Sequence, residues 1–292
     1  MKFDVICGNP PYNNDNTGKK GGARNDLLWP KFVTKSLELL KEGGYLCMVH
    51  PQIWRKPEHN MWNAIASNQI HYMHIMNEDE GKKTFGVSVK CDWYVLQKTA
   101  VTKAFSVRTE NGKVQQIDTR DFNFIPNSMI DIVTRIIAKG NDDKCNVLYD
   151  CQYHTQNKEK MSAEKDNTFK YPCIYSINSL ENGGVAYYYS ATKDDNNFGI
   201  AKVILGEGRF ARPLNDYKGE FGTTQCSFGI RISSKKEGDL IAAAINTPKF
   251  QEIIKATKWS GFRIDFRMFR YFKRDFWKQF VDSNGNELTV NL

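Results

Sequence analysis

The chain has 292 residues, of which 40% are hydrophobic and 25% are charged, and this balance is typical of a globular protein with one large or two smaller domains. Its formal net charge of +8 favours polyanionic partners, nucleic acid first. No apolar run approaches the roughly 20 residues of a membrane-spanning helix, and the first residues predict a strand and a turn, so we expect neither a membrane span nor a signal peptide.

The seven cysteines show no paired spacing, and no Cys-x-x-Cys occurs. This pattern predicts reduced thiols and a cytoplasmic protein. His71 and His74 are three residues apart in a predicted strand, which places them on opposite faces. We therefore expect no metal site.

The chain begins with an apolar run from Phe3 to Cys7, which predicts a buried strand, followed by Asn9-Pro10-Pro11-Tyr12. Two consecutive prolines stiffen the backbone and leave its carbonyl groups free. Because ligands of open α/β sheets bind beyond the carboxyl ends of strands, this turn is a candidate site. The Asn9 carboxamide and the Pro10 carbonyl can accept hydrogen bonds from an exocyclic amine, and the Tyr12 ring can stack on a base. An ordinary proline-rich turn is the alternative.

Residues 13–24 are rich in Asn, Gly and Lys and predict a loop. Lys19, Lys20 and Arg24 in this loop suit phosphate contacts, and a solvated loop explains them equally well.

Apolar periodicity predicts further helices and strands. They are, in chain order, a helix over 26–41, a strand over 45–50, a helix over 58–67 and strands over 70–76 and 89–97. We expect Gly43-Gly44 to close the first helix and residues 77–83 to form a loop. Pro51–Lys56 follows the carboxyl end of a strand, and Arg55 within it is a candidate DNA contact.

The remaining residues predict a linker, a hairpin and then a β-rich region with two late helices. The linker covers 98–104, the hairpin covers 105–117 with its turn at 110–113, a helix covers 128–138, and the late helices cover 237–245 and about 249–256. Gly206-Glu207-Gly208 follows a predicted strand, and we interpret it as a turn rather than as a cosubstrate loop.

The stretch Trp259–Lys278 interleaves aromatic and basic residues. Basic side chains neutralise phosphate, whereas aromatic rings either pack in a core or stack on bases. We expect the aromatic residues in the core and the basic ones on DNA. The candidate DNA contacts are Arg263, Arg267, Arg270 and Lys273.

The stretch FDVICGNPPYN resembles motif IV of the amino-methylating DNA methyltransferases and is similar to the adenine-N6 enzymes of the Eco57I/TaqI type. LLKEGGYLCMVHP resembles the strand after motif IV, and KKTFGVSVKCDWYVLQK resembles the motif VIII region. The resemblance implies a restriction-modification enzyme that moves a methyl group from S-adenosyl-L-methionine to N6 of a flipped adenine in double-stranded DNA. It implies catalytic roles for Asn9, Pro10, Pro11 and Tyr12. Tyr12 and Phe85 would stack on the base, unless Phe85 is a core aromatic.

The same resemblance predicts an α/β fold, with half of a Rossmann-like methyltransferase sheet over residues 1–104 and an α+β target-recognition domain over 105–292. The family's cosubstrate-binding half, with its glycine turn, does not precede residue 1. We therefore expect the Phe3–Cys7 strand to be an exposed apolar edge. Three alternatives stay open: a second chain completes the sheet, the sequence is a fragment, or the protein has lost the transfer reaction and covers this edge in another way. A non-catalytic DNA-binding subunit and a methyltransferase acting on RNA or on protein amides stay open.

Overall fold

The computed structural model describes residues 2–13, 27–149, 153–177, 184–194, 196–208, 211–259, 261 and 263–288. It consists of two compact units, Met1–Asp131 and Ile132–Leu292. The sequence placed a boundary after residue 104. The first unit continues beyond that point because two further strands extend its sheet.

The first unit is built on a six-stranded mixed sheet. Its strands are β1 (Phe3–Gly8), β2 (Leu40–Pro51), β3 (Asn68–Met76), β4 (Cys91–Ala100), β5 (Phe105–Arg108) and β6 (Val114–Ile117). Its helices are α1 (Trp29–Leu39), α2 (Trp62–Ala66) and α3 (Glu78–Phe85). The strand order is β1-β2-β4-β3-β5-β6, with β1 parallel to β2 and β4 antiparallel to both of its neighbours. The predicted α/β sheet and the predicted 105–117 hairpin are confirmed.

The glycine pair expected to close the first helix lies inside a strand instead. Helix α1 ends at Leu39, and Gly43 and Gly44 belong to β2. Phe3 of β1 pairs with Leu40 while Val5 pairs with Tyr45, so β2 accommodates extra residues between these pairs. A Cβ on Gly44 would approach the carbonyl oxygen of Asp4 to 3.0 Å. Close approach of β1 therefore requires glycine here.

The loop predicted over 77–83 is helical. Asn77 accepts a hydrogen bond from the Glu80 backbone N–H at 2.9 Å, and the Glu80 carboxylate accepts one from the Asn77 N–H at 3.3 Å. This capping box starts α3, and Gly86, with a φ of +77°, ends it. The charge-rich composition concealed a start signal that was present in the sequence.

Strand β1 is the edge of the first sheet, and among the described residues it pairs with β2 alone. Phe3 is 41% exposed and Val5 is 57% exposed. The prediction that this apolar run is buried is therefore wrong, whereas the expectation of an exposed apolar edge is confirmed.

The second unit is α+β, with two four-stranded sheets. Its strands are β7 (Val147–Leu148), β8 (Met161–Ser162), β9 (Tyr171–Ile177), β10 (Val185–Ser190), β11 (Lys202–Gly206), β12 (Pro213–Asp216), β13 (Gly222–Thr223) and β14 (Ser227–Arg231). Helix α4 (Ile130–Ile136) spans the boundary between the units, and α5 (Lys235–Asn246) and α6 (Pro248–Ala256) follow β14. The sheets have the orders β13-β9-β10-β8 and β12-β11-β14-β7.

The aromatic residues of the late basic stretch form the core of the second unit. The Phe250 ring lies 5.2–6.4 Å from four other phenylalanine rings. These rings belong to Phe269, Phe272, Phe276 and Phe280. The prediction that the aromatics of the stretch are core residues is confirmed for Phe269, Phe272 and Phe276, whereas Phe266, Tyr271 and Trp277 are half-buried. None of the described helices is long and apolar enough to cross a membrane.

Candidate functional site

Four strand ends of the first unit meet at one edge of its sheet. Gly8 pairs with Met48 near the end of β2, so the parallel strands β1 and β2 end side by side. Cys91, the first residue of β4, pairs with both Pro51 and Met76, which are the last residues of β2 and β3. We call the edge formed by Gly8, Pro51, Met76 and Cys91 the carboxyl edge of the first sheet. In α/β sheets, ligands bind at such edges.

The segment Asn9–Tyr12 leaves the sheet at this carboxyl edge. Pro10 is buried, whereas Asn9 and Pro11 are exposed. The Asn9 side chain forms no hydrogen bond to any residue in the described part of the chain. Its carboxamide is therefore available as a donor and acceptor for a ligand.

Tyr12 is fixed at the carboxyl edge through its backbone, and its side chain is partly buried there. Its carbonyl oxygen accepts a hydrogen bond from the Leu28 N–H at 3.1 Å, next to a bridge between Asn13 and Leu27. Burial, followed by the nearby Cys91 thiol and the Asp92 carboxylate, raises the pKa of Tyr12 to about 12. The phenol is therefore neutral at physiological pH, and its ring lies beside the first residues of β4.

A buried aromatic stack lies behind this turn. The ring of Trp29, the first residue of α1, stacks on the His50 ring with their centroids 4.4 Å apart. His50 Nδ1 lies 3.1 Å from the Pro51 carbonyl oxygen, and Nε2 lies 3.0 Å from the Tyr94 hydroxyl. Since a carbonyl can only accept, Nδ1 carries the proton and Nε2 accepts from Tyr94. The stack ties α1 to β2 and β4.

Because His50 is buried, its pKa falls from 6.5 to about 4. The unfolded chain takes up this proton as the pH falls below about 6.5, whereas the folded chain does so only near 4. We expect the free energy of unfolding to drop by about 3 kcal/mol between those pH values, with full stability above pH 6.5. Urea unfolding at several pH values measures this. His50→Gln should flatten the profile, whereas Asn284→Gln, at an exposed position of the second unit, should leave it unchanged.

Arg55, a predicted DNA contact, is buried inside the first unit. Its side chain is 0% exposed. Nε donates to Asp92 at 2.7 Å, and the terminal nitrogens donate to Gln52, Asn127 and the Ile125 carbonyl at 2.8–3.0 Å. These partners occupy the guanidinium, so Arg55 braces the segment after β2 against β4.

Asp92 is the acidic centre of this buried network, and the sequence analysis missed it. Trp54 Nε1 also donates to its Oδ2, at 2.9 Å. Burial raises the pKa of Asp92, while Arg55 and Trp54 oppose that shift. A charged residue inside the apolar strand CDWYVL was a signal for such a network, because a buried carboxylate needs a partner.

Phe85 is the last residue of α3, which follows β3 at the carboxyl edge, and it is 36% exposed. The alternative that Phe85 is a core aromatic is therefore wrong. Its stacking on a base stays a prediction. Lys19, Lys20 and Arg24 lie outside the described residues.

The four candidate DNA contacts of the second unit have neighbours that limit their free charge. Arg263 lies 3.8 Å from Glu207, Arg267 donates to Asp265 at 2.7 Å, and Lys273 lies 3.5 Å from Asp142. The Arg270 guanidinium lies 5.1 Å from the centre of the Phe266 ring. Carboxylates thus lie near Arg263, Arg267 and Lys273, and the contact of the four residues with DNA stays a prediction.

Gly206 ends β11, a buried strand that pairs antiparallel with both β12 and β14. The segment after it leads to another antiparallel strand rather than to a helix. This agrees with the interpretation of Gly206-Glu207-Gly208 as a turn. In the described part of the chain, no three His, Cys, Asp or Glu side chains are placed to hold a metal ion.

Comparison with known proteins gives a family for the first 85 residues. Residues 1–85 match the family model of the Eco57I restriction-modification methylase. An uncharacterized adenine-specific methylase of Mycoplasma pneumoniae is 39% identical over 62 residues, which are 21% of this chain and 14% of that protein.

Two solved structures of DNA complexes are similar over most of the chain. The type IIL restriction-modification enzyme MmeI aligns at 12% identity with a TM-score of 0.46, covering 92% of this chain and 45% of that one. The DrdV–DNA complex aligns at 11% identity with a TM-score of 0.43, covering 94% and 43%. The chain thus spans less than half the length of either protein. The family match confirms the predicted resemblance: residues 1–85 are similar to the Eco57I restriction-modification methylases.

Proposed function

We propose that this chain contains the base-binding part of a DNA methyltransferase that methylates N6 of adenine, together with its target-recognition region. The observation that carries the proposal is the exposed Asn9 carboxamide, without a hydrogen-bond partner among the described residues, at the carboxyl edge of the first sheet. Residues 1–104 would act in catalysis and residues 105–292 in recognition. A restriction-modification enzyme in complex with DNA is among the similar structures.

Asn9 and Pro10 would bind the amine that receives the methyl group. The Asn9 carboxamide oxygen and the Pro10 carbonyl can each accept one N–H of the adenine N6 amine. Two such hydrogen bonds orient the nitrogen lone pair toward the incoming methyl group and raise its electron density. Catalysis then depends mainly on positioning, and no covalent intermediate is needed.

Tyr12 and Phe85 would hold the base itself. Both follow strands that end at the carboxyl edge, and each ring is at least partly accessible. An adenine inside a duplex cannot reach this turn, so the nucleotide would be flipped out of the stack. Stacking on aromatic rings offsets part of the unstacking cost.

The free edge of β1 is where the rest of the enzyme would join. Phe3 and Val5 present an exposed apolar strand whose outer backbone groups pair with no described residue. We propose that a cosubstrate-binding half, from a second chain or from a longer form of this protein, adds strands there. That half would hold S-adenosyl-L-methionine, which supplies the methyl group when bound.

We expect the 292-residue chain alone to bind S-adenosyl-L-methionine weakly or not at all. Tight binding in such folds needs a glycine turn and a carboxylate for the ribose, and the one candidate glycine turn, at Gly206, leads to an antiparallel strand. Isothermal titration calorimetry of the purified chain tests this. Micromolar affinity in a monomeric sample would overturn the proposed division of the enzyme.

The decisive test of function is methyl transfer by the completed enzyme. The chain would be combined with a candidate cosubstrate-binding half, expressed as a separate polypeptide, and assayed with tritiated cosubstrate on duplex DNA. Methylated adenine in the digested product supports the proposal. Transfer to RNA or to protein with none to DNA would favour the other substrate classes.

A further inference from the structure

In the second unit, a group of lysines lies apart from the basic stretch in which the sequence predicted DNA contacts. In the stretch 263–278, a carboxylate lies near most of the basic groups, including Arg274, which donates to Glu237 at 2.8 Å, and Lys278, which lies 2.9 Å from Asp275. Such pairs lower the charge available to a polyanion. Outside this stretch, Lys160, Lys170 and Lys193 lie within 4.0 Å of no carboxylate in the described part of the chain.

The register of one sheet brings these lysines together. Ser190, the last residue of β10, pairs with Met161 of β8 on one side and with Tyr171 of β9 on the other. Lys160 and Lys170 directly precede those two partners, and Lys193 follows β10 by three residues. The Ala191 N–H donates to the Lys160 carbonyl, and the Lys170 N–H donates to the Ser190 carbonyl, both at 3.1 Å. Three separate segments therefore place lysines at the same end of the sheet.

Aromatic rings hold the ammonium groups at this end. Lys170 and Lys193 lie 5.4 and 5.2 Å from the centre of the Tyr171 ring, and Lys193 also lies 5.7 Å from that of Phe198. Lys160 lies 6.0 Å from the Tyr153 ring. These are cation–π distances, which restrict otherwise mobile side chains. We call Lys160, Lys170, Lys193, Tyr171 and Phe198 the lysine–aromatic patch.

The three ammonium groups have no carboxylate partner among the described residues. None of them forms an ion pair within 4.0 Å with a carboxylate of the described residues. Asp194, which directly follows Lys193, accepts a hydrogen bond from the Thr192 hydroxyl at 2.6 Å. Like charges gathered without counter-charges repel one another, and a polyanion relieves that repulsion on binding.

We propose that the lysine–aromatic patch binds the sugar-phosphate backbone of DNA. Ammonium groups are point-charge partners for phosphate oxygens, and a backbone contact fixes position without reading sequence. The inference deepens the proposed function, on which it rests for the identity of the nucleic acid. It assigns a backbone contact to segments that the sequence analysis did not single out.

The experiment compares two triple variants of the 292-residue chain. The test variant is Lys160→Gln, Lys170→Gln and Lys193→Gln. The control variant changes three exposed lysines of the same unit that touch no described aromatic ring, Lys144→Gln, Lys218→Gln and Lys236→Gln, and so removes the same charge. Circular dichroism and thermal midpoints check folding. Fluorescence anisotropy with a labelled duplex gives the dissociation constant between 50 and 300 mM salt.

We expect the test variant to bind about tenfold more weakly at 100 mM salt and to lower the log–log salt slope by up to about 2.7, because each phosphate contact contributes about 0.9. The log–log salt slope of the control variant should differ from that of the wild type by less than about 0.9, the contribution of one phosphate contact. Equal slopes for the wild type and the test variant, or an equal loss of DNA affinity in the control variant, would contradict the DNA-binding role of the lysine–aromatic patch. The proposed function would then still stand. A wild-type chain without affinity for duplex DNA would overturn both.

Discussion

Asn9→Ala is expected to lower methyl transfer to duplex DNA by at least about 100-fold in the completed enzyme, because one of the two acceptors for the amine is lost. The folded chain should be nearly unaffected. Asn9 is exposed and its side chain has no hydrogen-bond partner among the described residues, so the thermal midpoint should stay at the wild-type value. Single-turnover rates with tritiated cosubstrate measure the effect.

Two further variants make this result specific. Asn9→Asp should retain partial activity, because a carboxylate also accepts from the amine. Asn60→Ala, at another exposed asparagine of the first unit, should keep the wild-type rate. A wild-type rate for Asn9→Ala would show that Asn9-Pro10-Pro11-Tyr12 is an ordinary turn.

The largest effect on stability is expected at the buried ion pair of Arg55 and Asp92. Each side chain is 0% exposed, so removing one partner leaves the other charge buried and unpaired. Arg55→Met or Asp92→Leu should each lower the free energy of unfolding by about 3–5 kcal/mol. Urea unfolding followed by circular dichroism measures this. Arg120→Met, at an exposed pair with Asp118, should leave the free energy of unfolding close to the wild-type value.

The double variant Arg55→Met/Asp92→Leu separates the pair from the packing around it. Because both charges are removed, much of the loss caused by either single change should be recovered. Additive losses in the double variant would mean that the hydrogen bonds to Gln52, Asn127 and Ile125 matter more than the pair.

Local patterns in the sequence determined much of the fold and the central segment of the candidate site, Asn9–Tyr12. Strand β1 and the Asn9–Tyr12 turn are adjacent in the chain, so a short motif was enough to predict both the strand and the chemistry at its end. The 105–117 hairpin and the helices after β14 also follow from local signals, namely a turn sequence and apolar periodicity. Such features depend on neighbours a few residues away.

Only the tertiary structure decided which charged side chains are buried and which of them lie close together on the surface. Arg55 looked like a surface cation, but Asp92, 37 residues away, draws it into the interior of the first unit. Gly43-Gly44 looked like a helix stop, but the approach of β1 places it in a strand. Lys160, Lys170 and Lys193 meet only through the pairing of β8, β9 and β10. Each outcome rests on contacts between distant segments, and no local pattern encodes them.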